Sequence, residues 1–239
     1  MIDILILAAG ASSLGREDGG YPGCLTEIDN MPLIEHLIRR CDPLASRQIV
    51  VALREHDIRQ FGLDETVHVL EPDAEIIRVR EGNQGAACTA LLACDIIDPA
   101  AELLVLNVNE LIDAPFDEII GAFRAARNVA GVVTFPSVHP RYSYVRLDAE
   151  GLVVEAAEKR AISRHATAGF YWFAQAADFF AAARRLIRKG AGHNGLFYVC
   201  PSLNELVLEG KTIGAYAISP ALYHPLKSER QLQSLIGAE

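Results

Sequence analysis

The sequence has no C-x-x-C pair, because its five cysteines, Cys24, Cys41, Cys88, Cys94 and Cys200, are odd in number and scattered. A zinc ribbon and dithiol chemistry are therefore excluded, and free thiols in a reducing compartment remain. No apolar run approaches the roughly 18 residues that a membrane span needs. Met1-Ile2-Asp3 leads straight into a strand pattern with no basic leader, so the chain reads as cytoplasmic and without a membrane span. Positive charge is also short: 22 Lys and Arg against 31 Asp and Glu leave a formal net charge of −9. General electrostatic grip on a phosphate backbone is excluded by that balance, and no nucleic-acid partner is expected. Aromatic residues make up only 7% of the chain, and no repeat, linker or low-complexity tract interrupts it.

What is present is an ordinary globular composition, 51% hydrophobic and 22% charged over 239 residues. That length can bury a real core, and we read residues 1–239 as a single domain. Ile2–Ala8 is an apolar run of strand length, as suits a strand covered on both faces of a parallel sheet. Similar runs recur at Gln48–Leu53, Val67–Leu70, Leu103–Leu106 and Gly131–Phe135, with helical periods at Pro32–Arg40, Gln84–Ile97 and Phe116–Arg127 between them. This is βαβ alternation. After Pro136 the pattern changes to strands without helices, Ser143–Leu147, Leu152–Ala156 and Thr167–Phe173, which predicts a small antiparallel addition. Helices at Gln175–Lys189 and Ser202–Leu208, a strand at Thr212–Ile218 and a helix at Glu229–Leu235 complete the reading. The fold class is α/β, Rossmann-like, with a mostly parallel sheet flanked by helices.

In an open α/β sheet the ligand sits at the carboxyl ends of the strands, so the loop from Ala8 to Leu25 should face it. Gly10-Ala11-Ser12-Ser13-Leu14-Gly15 is neither a dinucleotide fingerprint nor a P-loop. The seven histidines show no paired metal spacing, and no Gly-x-Ser-x-Gly elbow makes Ser12 or Ser13 a nucleophile. Trp172, Phe173, Phe179 and Phe180 read as core.

Ile4-Leu5-Ile6-Leu7-Ala8-Ala9-Gly10, Ser12-Ser13, Tyr21-Pro22 and Met31-Pro32-Leu33-Ile34-Glu35 together resemble the opening of the sugar-1-phosphate nucleotidyltransferases. The resemblance continues through Glu81–Thr89, Leu103–Asp113, Ala157-Glu158-Lys159-Arg160, Ala166–Tyr171 and Asn194–Glu205, in order over nearly the whole chain. It is closest to the branch associated with bacterial capsule and surface-polysaccharide genes. It implies a glycosyltransferase-A-like α/β fold and transfer of a nucleotidyl group to a sugar or polyol phosphate, normally with magnesium. Residue by residue it implies nucleotide contacts from Ala8, Ala9, Gly10, Ser12, Ser13, Gly85, Ala86 and Ala87. Sugar-phosphate contacts fall on Glu158, Lys159, Gly169 and Asn204. A helix start made of Gly85-Ala86-Ala87 lets a ligand approach its amides, while Glu158 can accept from hydroxyls and Lys159 can meet a phosphate.

The chain departs from this pattern where phosphate charge must be neutralised. The loop arginine falls on Leu14, the lysine after the proline on Gly23 beside Cys24, and the metal-binding aspartate on Asn109. A second aspartate falls near Pro225, and a glutamate has become Leu196. Removing one preorganised stabiliser of transition-state charge costs about 10²–10³ in rate, so correlated loss leaves little activity. Arg16, Asn109 and Glu110 are the residues left near the chemistry. Glu110 or Asp113 could replace the metal ligands, and Arg16 or Arg54 the phosphate partners. Three readings stand: an enzyme with a rebuilt site using magnesium, a silent relative that binds a nucleotide or sugar phosphate and pairs with itself or an active enzyme, and a glycosyltransferase.

Overall fold

The computed structural model describes residues 1–10 and 21–226. In chain order its elements are β1 (Ile2–Leu7), β2 (Glu27–Ile28), β3 (Met31–Pro32), α1 (Leu33–Cys41), β4 (Ser46–Arg54), α2 (Glu55–Phe61) and α3 (Leu63–Leu70). Then come β5 (Glu75–Val79), α4 (Ala86–Leu91), β6 (Glu102–Asn107), β7 (Glu110–Ile112), α5 (Phe116–Ala125) and β8 (Ala130–Pro136). The antiparallel strands β9 (Ser143–Leu147), β10 (Val153–Glu158) and β11 (His165–Phe173) follow. The last elements are α6 (Ala176–Arg188), α7 (Val199–Leu208), β12 (Ile213–Ala217) and β13 (Tyr223–Pro225).

Among the described residues, nine strands form one sheet, in the order β10-β9-β11-β6-β1-β4-β5, with β8 on the other side of β11 and β12 beside β8. β1 is parallel to both β4 and β6, and β4 to β5. β11 runs antiparallel to β6, β8 and β9, so the sheet is mostly parallel with the antiparallel addition that the sequence predicts. The period of two sorts each central strand between two cores. Ile4, Ile6, Val51, Leu53, Leu104 and Leu106 face one, while Leu5, Leu7, Val50, Ala52, Leu103 and Val105 face the other. Helices α1, α3 and α5 cover the first face with stripes such as Leu33, Ile34, Leu37, Ile38 and Cys41; α6 and α7 cover the second. Among the described residues no helix is long and apolar enough to cross a membrane.

Local readings needed three corrections. Val67–Leu70 is the end of helix α3 and not a strand. Gly62 turns left-handed at φ 59°, Leu63 and Val67 share the buried face, and Val69 is 83% exposed, so a four-residue apolar run was too short to separate the two periods. The helix at Gln84–Ile97 stops at Leu91 and passes into turns. The helix expected from Ser202 starts at Val199, with Pro201 tolerated because the first turn needs no amide donor. The helix read at Glu229–Leu235 lies outside the described residues.

Candidate functional site

Because β1, β4, β5 and β6 are parallel, their carboxyl ends open on one side. The Ala8 amide donates to the Ala52 carbonyl at 3.0 Å, and the Val108 amide to the Leu7 carbonyl at 3.2 Å. Ala8, Ala9 and Gly10 therefore leave the sheet between β4 and the turn after β6, passing from buried to exposed. Ser12, Ser13 and Arg16, together with Leu14, lie outside the described residues. Arg54, at the end of β4, lies 3.8 Å from the buried carboxylate of Asp57. Cys24 is buried beside them. Its thiol is pushed up to about 12, first by burial and then by Asp57, so it stays neutral and does not replace a cation.

Gly85 has a reason other than ligand approach. Its φ is 106°, and a Cβ there would fall 2.4 Å from the Phe197 carbonyl oxygen. Ala87 donates its amide to that oxygen at 3.0 Å, and Phe197 donates to the Gln84 carbonyl at 2.8 Å. The small residues 85–87 thus admit the crossing backbone before α7. Asn83 ties the preceding loop to Thr89 at 2.6 Å.

The turn after β6 carries Asn109 and Glu110. β13 pairs with β7 so that Pro225 stands opposite Glu110, and the Asn109 carbonyl accepts from the Leu226 amide at 2.9 Å. The two positions where the resemblance implies metal aspartates are neighbours in space, and they carry an amide and a proline. Glu110 itself is 5% exposed. Its carboxylate packs onto Gly169, where an added Cβ would meet Oε2 at 2.1 Å. Burial, and next Glu110, hold the Tyr223 hydroxyl well above its ordinary pKa. Asp113 is engaged elsewhere: His224 Nε2 lies 2.8 Å away and Arg40 donates to its other oxygen. Burial alone would raise its pKa, but His224 and Arg40 together outweigh burial and hold the carboxyl below its usual range.

The other half of the site is built by the antiparallel addition. Between Thr167 and Tyr171 the register of β11 against β8 slips, and Gly169 sits in that bulge with φ 70°. Thr167 and Tyr171 share a hydrogen bond of 3.0 Å beneath it, beside the buried Cys200. At the end of β10, the Ser143 hydroxyl donates to the Glu158 carboxylate. Lys159 is left-handed at φ 51°; its amide donates to the Tyr142 carbonyl at 3.1 Å and its ammonium to the Tyr198 hydroxyl at 3.1 Å. Asn204 is engaged by the backbone. Its side-chain amide makes two bonds of 2.8 Å with the backbone of Ala156, fastening α7 to the edge strand β10. Sequence reasoning gave no role to Ser143 or Tyr198, because Tyr198 stands far along the chain from Lys159 and no local spacing links them.

The class is thus an α/β protein whose mostly parallel sheet ends at Ala8–Gly10 and Asn107–Glu110, with a bulged antiparallel strand beside it. The family model described as nucleotidyl transferase matches residues 20–205, and the chain belongs to that family. Its fold is similar to the nucleoside-diphosphate-sugar pyrophosphorylase of Vibrio cholerae RC9, with a TM-score of 0.83 and 21% identity over 99% of this chain and 100% of that one. It is similar to a UDP-glucose pyrophosphorylase complexed with UDP-glucose, at TM-score 0.80 and 16% identity over 100% and 98% of the two chains. A third similar structure is the inositol-1-phosphate CTP transferase from T. maritima, at 0.74 and 15% over 98% and 94%. A search of curated protein sequences gives no match.

Among the described residues, the turn after β6 does not offer the two aspartates that the resemblance implies for magnesium. The positions facing each other there carry one buried carboxylate, Glu110, a neutral amide, Asn109, and Pro225, whose side chain supplies no ligand.

Proposed function

We propose that this family member binds a sugar or polyol phosphate at the β9–β11 half of its site and transfers a nucleotidyl group poorly or not at all. The observation that carries the reading is the pairing of Pro225 with Glu110 beside Asn109, which puts a proline and a neutral amide where the resemblance implies two metal-binding aspartates. Lys159 and Glu158 remain at the other half, one suited to a phosphate and the other to hydroxyls. The resemblance of nearly the whole chain, closest to the capsule-associated branch, supports a place in surface-polysaccharide assembly. There the chain serves as a silent subunit, paired with a second copy or with an active relative.

Calorimetry with glucose 1-phosphate, inositol 1-phosphate and a nucleoside triphosphate plus magnesium tests this. A phosphomonoester should bind, and Lys159→Ala should weaken it by about tenfold or more, the scale of a hydrogen bond to a charged group. Tight, magnesium-dependent triphosphate binding with release of pyrophosphate would instead establish an active enzyme working through Glu110.

A further inference from the structure

We infer that Tyr198 is a positioning residue that aims Lys159 at the phosphate of the bound ligand, an assignment that rests on the phosphomonoester reading above. Glu158 and Lys159 are neighbours in sequence, and two such residues at a strand end could simply neutralise each other. They do not. The left-handed backbone at Lys159 takes its side chain out of the strand alternation, while Glu158 receives the Ser143 hydroxyl. The Lys159 ammonium goes to a neutral partner. It donates to the Tyr198 hydroxyl at 3.1 Å and lies 5.0 Å from the centroid of the Tyr198 ring.

A carboxylate at Tyr198 would cancel the charge of the ammonium and compete with a phosphate. A phenol restrains the same group through one hydrogen bond and the ring quadrupole and leaves its full charge for the ligand. It also lowers the rotamer entropy that Lys159 must lose on binding. Tyr198 is itself fixed. It is the residue immediately before α7, and Phe197 next to it is clamped by two backbone bonds to Gln84 and Ala87. Asn204, further along the same helix, ties that helix to β10, the strand that ends in Glu158. One helix therefore holds both the lysine's anchor and the strand that presents the lysine.

The test is a double-mutant cycle read by glucose 1-phosphate affinity, with glucose as the uncharged control. Tyr198→Phe keeps the ring and should weaken glucose 1-phosphate by about fivefold, as one neutral hydrogen bond is worth. Tyr198→Leu removes the ring as well and should cost about a further threefold. Glucose binding should not change. In a Lys159→Ala background, Tyr198→Phe should have no further effect, an outcome that a merely structural tyrosine would not produce. Equal losses in both backgrounds, or unchanged affinity in Tyr198→Phe while Lys159→Ala loses binding, would overturn the assignment alone. Absence of glucose 1-phosphate and inositol 1-phosphate binding in the unmodified protein would remove the phosphomonoester reading and this assignment together. Lysine side-chain NMR separates the two failures: loss of the ring-current shift at Lys159 in Tyr198→Leu reports the contact without any ligand.

Discussion

The two halves of the site differ in how they treat charge. At the carboxyl ends of β1, β4 and β6, Arg54 faces Asp57, Cys24 stays a neutral thiol, Asp113 is engaged by His224 and Arg40, and Glu110 is buried against Gly169. Each charge there is answered from within the protein. At the ends of β9 and β10, Lys159 is restrained by a phenol and Glu158 receives a hydroxyl. The Lys159 ammonium is thus held by a neutral group, whereas Arg54 and Asp113 are held by groups of opposite charge. On the proposed reading, ligand binding belongs to the second half.

The comparison breaks most visibly if the first half can be refilled. Leu14→Arg, Gly23→Lys and Asn109→Asp together should raise pyrophosphate release by about 10²-fold or more in a coupled assay, and each alone should do little, since charge-stabilising groups act as a unit. Gly23 lies in the short 3-10 turn Gly23–Leu25, a conformation open to lysine. A single substitution that restores full turnover would contradict the view that several parts are missing.

Gly169 joins the halves. Gly169→Ala would place a Cβ on the Glu110 carboxylate at a positive φ, and should cost about 2–4 kcal/mol in denaturant unfolding. A loss below about 1 kcal/mol would show that β11 can relax away from Glu110. Asn204→Ala should cost about 1–3 kcal/mol by leaving the Ala156 amide and carbonyl unmet. If Asn204 contacted ligand directly, an Asn204→Ala protein still folded at assay temperature would lose its sugar phosphate, and the structural assignment would fail.

The smallest effect concerns pH. The folded state lowers the Asp113 carboxyl below 3.8, so its ionised form adds stability that is complete above that value and lost as pH falls through the folded pKa. Asp113→Asn should therefore destabilise by about 0.5 kcal/mol near neutral pH, because solvent screens so exposed a pair. The difference from wild type should shrink as pH falls below 3.8 and the Asp113 carboxyl takes up its proton. A constant difference across that range would remove His224 and Arg40 as its cause.

Much of the fold was legible because burial on two faces leaves a strong mark: β1, β4, β6 and β8 are apolar runs of strand length, and α1 and α6 carry clean stripes. The misreading at Val67–Leu70 came from a run too short to show its period. Element β7–β13 was invisible, since its pairing joins segments about 110 residues apart and its sequences have no strand period to offer.

The sequence by itself determined the charge inventory of the site: the residues Leu14, Gly23, Asn109 and Pro225, and the surviving Glu158, Lys159 and Gly169, are there to be read from the chain. Only the tertiary structure decided which of those residues meet and which are already occupied. That Pro225 stands across from Glu110, that Gly85 serves the Phe197 backbone, that Asn204 is spent on Ala156, and that Tyr198 rather than a carboxylate holds Lys159 all depend on contacts between distant segments. Hydrogen bonds and ion pairs act over a few ångströms in space, and local periodicity carries no record of such neighbours.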